Sequence, residues 1–186
     1  MPTIGWFEIL IVVTVAILVV GMAGSGKTSF IQRFNSSSHT KKMRTYIVNI
    51  DPATTKLPYI PNIDIRDTVN FKKVMKDYNL GPNGAILTAA NLFATRFDQV
   101  ISLCERRRSE IDFIVIDTPG QIEIFTWSAS GTIITEAIAE ATPKPCVPYA
   151  KRQIGTPIFP VFGSINGGSS ILRSFLSRKS IIRVMK

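Results

Sequence analysis

The chain has 186 residues, room for one ordinary domain and too little for two. Apolar residues make up 45% and charged residues 19%, a balance that excludes a disordered polymer. Of the net charge of +9, nearly all sits in residues 144–186, which hold eight Lys or Arg and no acid; no uniformly basic nucleic-acid-binding domain is expected, and only this tail could be an electrostatic footprint.

Two cysteines, Cys104 and Cys146, and one histidine, His39, are too few for a disulfide framework or for a zinc site with about four ligands. These counts fit a reducing compartment. His39 lies in the polar run Asn35–Thr40 and reads as a solvent-facing loop residue.

Ile9 to Val20 reads ILIVVTVAILVV. The run is shorter than the ~20 apolar residues of a membrane helix, and no basic residue precedes it as in a signal peptide. We therefore expect no membrane partner, a buried parallel strand over the second half of the run, and an unassigned apolar leader over residues 1–14, for which a hydrophobic anchor is the alternative.

The next residues, Gly21-Met22-Ala23-Gly24-Ser25-Gly26-Lys27-Thr28, fit G-x-x-x-x-G-K-[ST] in full. Glycines let a backbone wrap closely and turn its N–H groups toward phosphate oxygens. An ammonium at Lys27 can reach the β- and γ-phosphates, and a hydroxyl at Thr28 can bind Mg²⁺. A helix starting near Lys27 adds its positive end. Gly21, Gly24, Ser25, Gly26, Lys27, Thr28 and Ser29 are the candidate nucleotide-binding residues.

A second strand is expected over Thr45–Ile50, ending in Asp51-Pro52-Ala53. The carboxyl ends of parallel strands face the ligand crevice, so Asp51 is directed toward the same phosphates. From Ala85 to Arg108 the spacing of Ile86, Ala90, Phe93, Phe97, Val100 or Ile101, and Cys104 predicts one long amphipathic helix with those residues in the core. The closing Arg106-Arg107-Arg108 reads as a solvated, dipole-favoured helix end rather than an arginine finger.

Phe113-Ile114-Val115-Ile116-Asp117 is a third buried strand, followed by Thr118-Pro119-Gly120. Asp117 is the candidate metal acid, acting on Mg²⁺ through water, and the Gly120 backbone a candidate γ-phosphate sensor. Strand and helix alternate, which gives an α/β fold of the P-loop NTPase type: a parallel sheet with flanking helices over residues 15–141. Residues 142–186 hold five of the eleven prolines, between Pro143 and Pro160, then a Gly/Ser cluster at 163–170. They read as an irregular basic tail, with Ile171 to Met185 a short basic helix or a frayed end.

Several motifs then occur in a particular order: N-x-D-P-A (Asn49–Ala53), NIDIRDTV (Asn62–Val69), G-P-N-G (Gly81–Gly84) and DTPGQIE (Asp117–Glu123). With the stretches Asn91–Val100 and Phe125–Ala137, the chain resembles the GPN-loop GTPases over residues 17–141, in particular the eukaryotic branch associated with RNA polymerase II assembly and nuclear import. The resemblance implies GTP and GDP as ligands with Mg²⁺, and a homodimer or a heterodimer with a related GPN-loop GTPase. It also implies RNA polymerase II as a partner and a cytoplasmic protein that shuttles to the nucleus. Gly81, Pro82 and Asn83 would form the GPN loop, with the Asn83 amide turned to the other subunit's γ-phosphate or released phosphate. Gln121, with Glu123 and Asp51, would position the attacking water. The chain departs from the family in lacking any N-K-x-D guanine-reading segment, so it reads as truncated on its C-terminal side. Two alternatives stand beside the GTPase: a non-catalytic nucleotide-binding or dimerisation partner, and an ATPase of a related P-loop class.

Overall fold

The structure, a computed structural model, describes residues 15–121 and 127–141 together with the backbone of 146–151 and 159–164. The expectations for residues 1–14, for Glu123 and for a helix over 171–185 lie outside the described residues.

Four strands come from the first two-thirds of the chain: β1 (Val15–Gly21), β2 (Thr45–Asn49), β3 (Ile63–Asp64) and β4 (Phe113–Asp117). Two more, β5 (Cys146–Lys151) and β6 (Phe159–Ser164), complete a six-stranded sheet of order β3-β2-β4-β1-β5-β6. Every pairing is parallel except β5 with β6. β1, β2 and β4 are rich in β-branched residues and almost wholly buried, as a sheet covered on both faces requires.

Alternation of side chains divides the core into two. Ala16, Leu18, Val20, Tyr46, Val48, Ile114 and Ile116 face one side. There they meet buried residues of α4 (Pro82–Ala94), α5 (Phe97–Arg106) and α6 (Ala129–Ala141). Ile17, Val19, Ile47 and Val115 face the other, with Ile31 of α1 (Lys27–Thr40) and with Tyr59. Phe34 of α1 meets Phe113 edge-on at 5.2 Å, a favourable ring geometry. Two short helices, α2 (Ile65–Thr68) and α3 (Phe71–Asp77), fill the crossover and are capped by Asp64 and Asn70, which accept from Arg66 N and Lys73 N respectively, one orphan N–H of each first turn.

Three expectations are corrected. The helix expected over 85–108 is two helices, α4 and α5. Thr95 Oγ1 donates to the Leu92 carbonyl at 2.7 Å and Arg96 N closes on Phe93 O, which ends α4 and turns the chain before Phe97. The core positions survive the break: Ile86, Ala90, Phe93, Phe97, Val100 and Cys104 are all buried. Phe93 and Phe97 stack edge-to-face across it at 6.0 Å. Arg106, Arg107 and Arg108 are exposed, as expected of a solvated helix end.

His39 is exposed but sits in the last turn of α1 rather than in a loop. The helix runs through the polar run to its end, where Thr40 Oγ1 donates to Ser36 O at 3.0 Å. The chain then reverses at Lys42, a left-handed residue with φ 57°. Finally, the irregular tail expected over 142–186 contains β5 and β6. β5 pairs with β1 on the side away from β4. Prolines lower strand propensity, and the register against β1 is a long-range fact that composition does not carry.

Candidate nucleotide site

The three buried parallel strands end level with one another, Asp117 pairing with Val19 on one side and Asn49 on the other. Everything that follows them therefore gathers on one edge of the sheet, the edge where ligands of parallel α/β folds bind.

After β1 the chain turns tightly, with Ser25 N donating to Met22 O at 3.1 Å. Gly24 and Gly26 adopt φ 73° and 90°, left-handed conformations that L side chains pay for at about 1–2 kcal/mol. Gly26 caps α1 without a side-chain hydrogen bond, and no acid lies in the first turn. The N–H groups of Lys27, Thr28 and Ser29 thus head the helix with its positive end unneutralised. Lys27 is buried, and its Nζ donates to Gly21 O at 2.9 Å and Met22 O at 3.1 Å. Burial lowers its proton affinity, while the nearby Asp117 and Asp51 carboxylates pull the other way. Ser25 Oγ is buried with no hydrogen-bond partner among the described residues. A Cβ added at Gly120 would meet Ala23 Cα and Cβ at 3.0 Å, so this glycine lets the loop after β4 close against the loop after β1.

Asp117 is 3% exposed. Burial pushes its carboxyl up to about 6, opposed by the Tyr59 hydrogen bond and the Lys27 charge and reinforced by Asp51. Tyr59 Oη donates to Asp117 Oδ2 at 2.5 Å. Burial, and then the Asp117 charge, raise the phenol well above its usual range, so it stays a donor.

Asp51 follows β2 and is tied locally, Oδ1 accepting from Ala53 N at 3.0 Å and Oδ2 from Thr54 Oγ1 at 2.9 Å. Asn49, fully buried, shapes this turn from beneath: its Oδ1 accepts from Asp51 N, and its Nδ2 donates to Asp64 Oδ1 at 3.1 Å. Arg66 forks onto both oxygens of Asp64 and continues to Thr54 O at 2.9 Å. Burial alone would raise the Asp64 carboxyl, but the bonds from Arg66 and Asn49 outweigh it and hold it below the ordinary range.

Gly81, Pro82 and Asn83 form the start of α4, with Pro82 at its first position, where a missing N–H costs nothing. Gly81 has φ −68°, so no left-handed backbone demands glycine there. Gln121 Nε2 donates to Asn83 Oδ1, joining the loop after β4 to the start of α4 within one chain.

Lys27, Asp51, Asp117 and Gly120 thus converge on the loop after β1, and Gln121 pairs with Asn83 beside them. Glu123 lies outside the described residues. The sequence reading missed Tyr59, whose Leu57-Pro58-Tyr59-Ile60-Pro61 context reads as a turn. Asn49, Asp64 and Arg66 lie within the N-x-D-P-A and NIDIRDTV motifs, whose spacing gives them no role. A glycine loop that leads from a central parallel strand into a helix, with an acid ending the adjacent strand, defines a P-loop nucleotide-binding protein.

Residues 19–150 match the family described as "Conserved hypothetical ATP binding protein". The chain belongs to that family, and within it to the GPN-loop GTPases. It is 61% identical over 127 residues to GPN-loop GTPase 1 of Dictyostelium discoideum, covering 68% of this chain and 32% of that relative. It is 60% identical over 134 residues to GPN-loop GTPase 1 of Schizosaccharomyces pombe, covering 72% and 36%. Identity to GPN-loop GTPase QQT2 of Arabidopsis thaliana is 62% over 125 residues, covering 67% and 33%. The crystal structure of a GTPase in apo form from Pyrococcus abyssi superposes with a TM-score of 0.63 at 33% identity, covering 73% of this chain and 52% of that one. The chain spans about a third of the length of these curated relatives. Among the described residues no helix is long and apolar enough to cross a membrane.

Proposed function

We propose that this chain is the nucleotide site of a GPN-loop GTPase, binding GTP with Mg²⁺ and releasing GDP. One arrangement carries the reading: the unneutralised start of α1 and the Lys27 ammonium adjoin the buried Asp117 carboxylate. Phosphoryl transfer needs positioning and charge neutralisation, not a covalent nucleophile. In this reading the amides of 24–27 and Lys27 bind phosphate oxygens, and the Gly120 amide donates to the γ-phosphate. The Thr28 hydroxyl would hold the cation directly and the Asp117 carboxylate through water, oxygen donors of the kind Mg²⁺ takes. A cation held there would supply positive charge against that of the phosphates. Gln121, with Glu123 and Asp51, orients the attacking water.

The base is the open branch of the proposal. The relatives are named as GTPases, the matched family is described as binding ATP, and this sequence has no N-K-x-D segment. Titration with labelled GTP in Mg²⁺, with ATP and GDP as competitors, tests it. Preference for GTP supports the GTPase, and equal displacement by ATP turns the reading to a related ATPase. Gln121→Ala should keep nucleotide affinity and slow hydrolysis by about a hundredfold; unchanged hydrolysis would remove its assigned role.

A second reading, a non-catalytic nucleotide-binding or dimerisation partner, is favoured by one observation: the Gln121 amide is engaged by Asn83 of its own chain. Nucleotide binding without turnover would select it. The resemblance extends the proposal to a homodimer or a heterodimer with a related GPN-loop GTPase. It likewise suggests a role in RNA polymerase II assembly and nuclear import, and a cytoplasmic protein that passes to the nucleus.

A further inference from the structure

The segment between β2 and β3 is held along its whole length. Asp51 and the Arg66 fork fix its start, at Thr54 O and Thr55 O. Asn62 fixes its end, its side-chain oxygen and its N–H both bonded to the Ile47 backbone at 2.7 Å. Between these ends the Tyr59 ring is 7% exposed and belongs to the core cluster of Val19, Ile31, Ile47 and Val115. A ring packed in this way has few rotamers to choose from, so its hydroxyl arrives in one place. That place is Asp117 Oδ2, across 58 residues of sequence. The phenol occupies one acceptor site of a carboxylate that offers about four, which orients the group and leaves acceptor capacity for a cation.

We infer that Tyr59 is a positioning residue: its hydroxyl sets the Asp117 carboxylate for the divalent cation that accompanies the nucleotide, and ties that carboxylate to the segment carrying Asp51. The inference rests on the phosphate-site reading above. Partners that orient a ligating group by a hydrogen bond typically change metal affinity by about 10–100-fold when removed, so Tyr59→Phe, which keeps the ring and deletes the hydroxyl, is the decisive variant.

The experiment measures binding of a fluorescent guanine nucleotide to the full chain in EDTA and across a Mg²⁺ series, with thermal unfolding as the folding control. The expected result is that Tyr59→Phe raises the Mg²⁺ half-saturation by about tenfold while affinity in EDTA moves little. In an Asp117→Asn background, Tyr59→Phe should add nothing to the Mg²⁺ dependence, because the tyrosine acts through that carboxylate. An equal loss with and without Mg²⁺ marks a merely structural role and overturns the inference, as does an unchanged half-saturation. Should Tyr59→Phe not fold, the unaltered chain carrying fluorotyrosine gives the same decision. The resonance of Tyr59 should shift on adding Mg²⁺ to the nucleotide-bound chain, and a static resonance overturns the inference. Failure of the unaltered chain to bind nucleotide at all overturns the phosphate-site reading, and this one with it. Normal binding with an unaltered Mg²⁺ response in the variant sinks only the role of Tyr59.

Discussion

The loop after β1 and the segment after β2 lie on the same edge of the sheet, yet they hold their shapes by different means. Residues 21–27 are shaped from within. The turn bond spans three residues, two glycines take left-handed φ, and Lys27 bonds back no more than six residues. Residues 51–62 begin with a local turn at Asp51, but the rest is held from afar by Arg66, by the β2 backbone at Ile47 and by Asp117. A loop built from local bonds is announced by its residue spacing. A segment built from distant ones looks like a plain turn until its partners are in place.

The sharpest way to break the first region is Lys27→Ala. It removes the only side chain of the loop that carries charge, and each charge-assisted hydrogen bond is worth about 1.5–3 kcal/mol. Nucleotide affinity by calorimetric titration should fall by at least about a hundredfold. Retained affinity would mean that the backbone amides suffice.

The corresponding break in the second region is Arg66→Ala, which leaves the Asp64 carboxylate buried without its cation. A fully buried pair would cost about 3–5 kcal/mol to break; with the Arg66 side chain 32% exposed, solvent screening reduces this to about 2 kcal/mol. The sign with pH follows from Asp64, whose carboxyl is held below its ordinary value of 3.8. Its contribution is complete above that value and is lost as acid titrates the folded-state group. Urea unfolding should therefore separate the two chains at pH 7 and bring them together in strong acid.

Asp117→Asn sharpens the comparison at the point where the regions meet. The folded carboxyl is raised from 3.8 to about 6, so the fold holds this proton more tightly than the unfolded chain does. The proton's contribution is present below the unfolded value and is lost as pH rises toward 6. Without ligand, Asp117→Asn should be equal in stability near pH 4 and more stable by about 2 kcal/mol at pH 8, although its Mg²⁺-dependent binding is lost. A flat difference across that pH range would show that burial does not burden this carboxylate.

The smallest effects come from paired glycine changes. Gly26→Ala forces a left-handed alanine and should lower stability by about 1–2 kcal/mol. Gly81→Ala, at φ −68° with open space around a new Cβ, should move thermal unfolding very little. Equal losses at the two sites would place the constraint at Gly81 outside its own backbone.

Much of the molecule was determined by sequence alone. The phosphate loop, the strand before it, the Asp117 strand and the α/β class were legible because each rests on local chemistry: glycine φ, β-branched burial and strand-to-helix spacing. The core positions of α4 and α5 were legible for the same reason, since periodicity survives the break between them. The break itself was not, because a hydroxyl returning to its own helix at Thr95 competes with helix continuation too evenly for propensity to settle. Only the tertiary structure decided that Tyr59 faces Asp117, that Arg66 clamps the segment after Asp51, and that β5 covers the edge of β1. Each joins residues far apart in the chain, and such contacts depend on the packing of the whole sheet rather than on any run of neighbours.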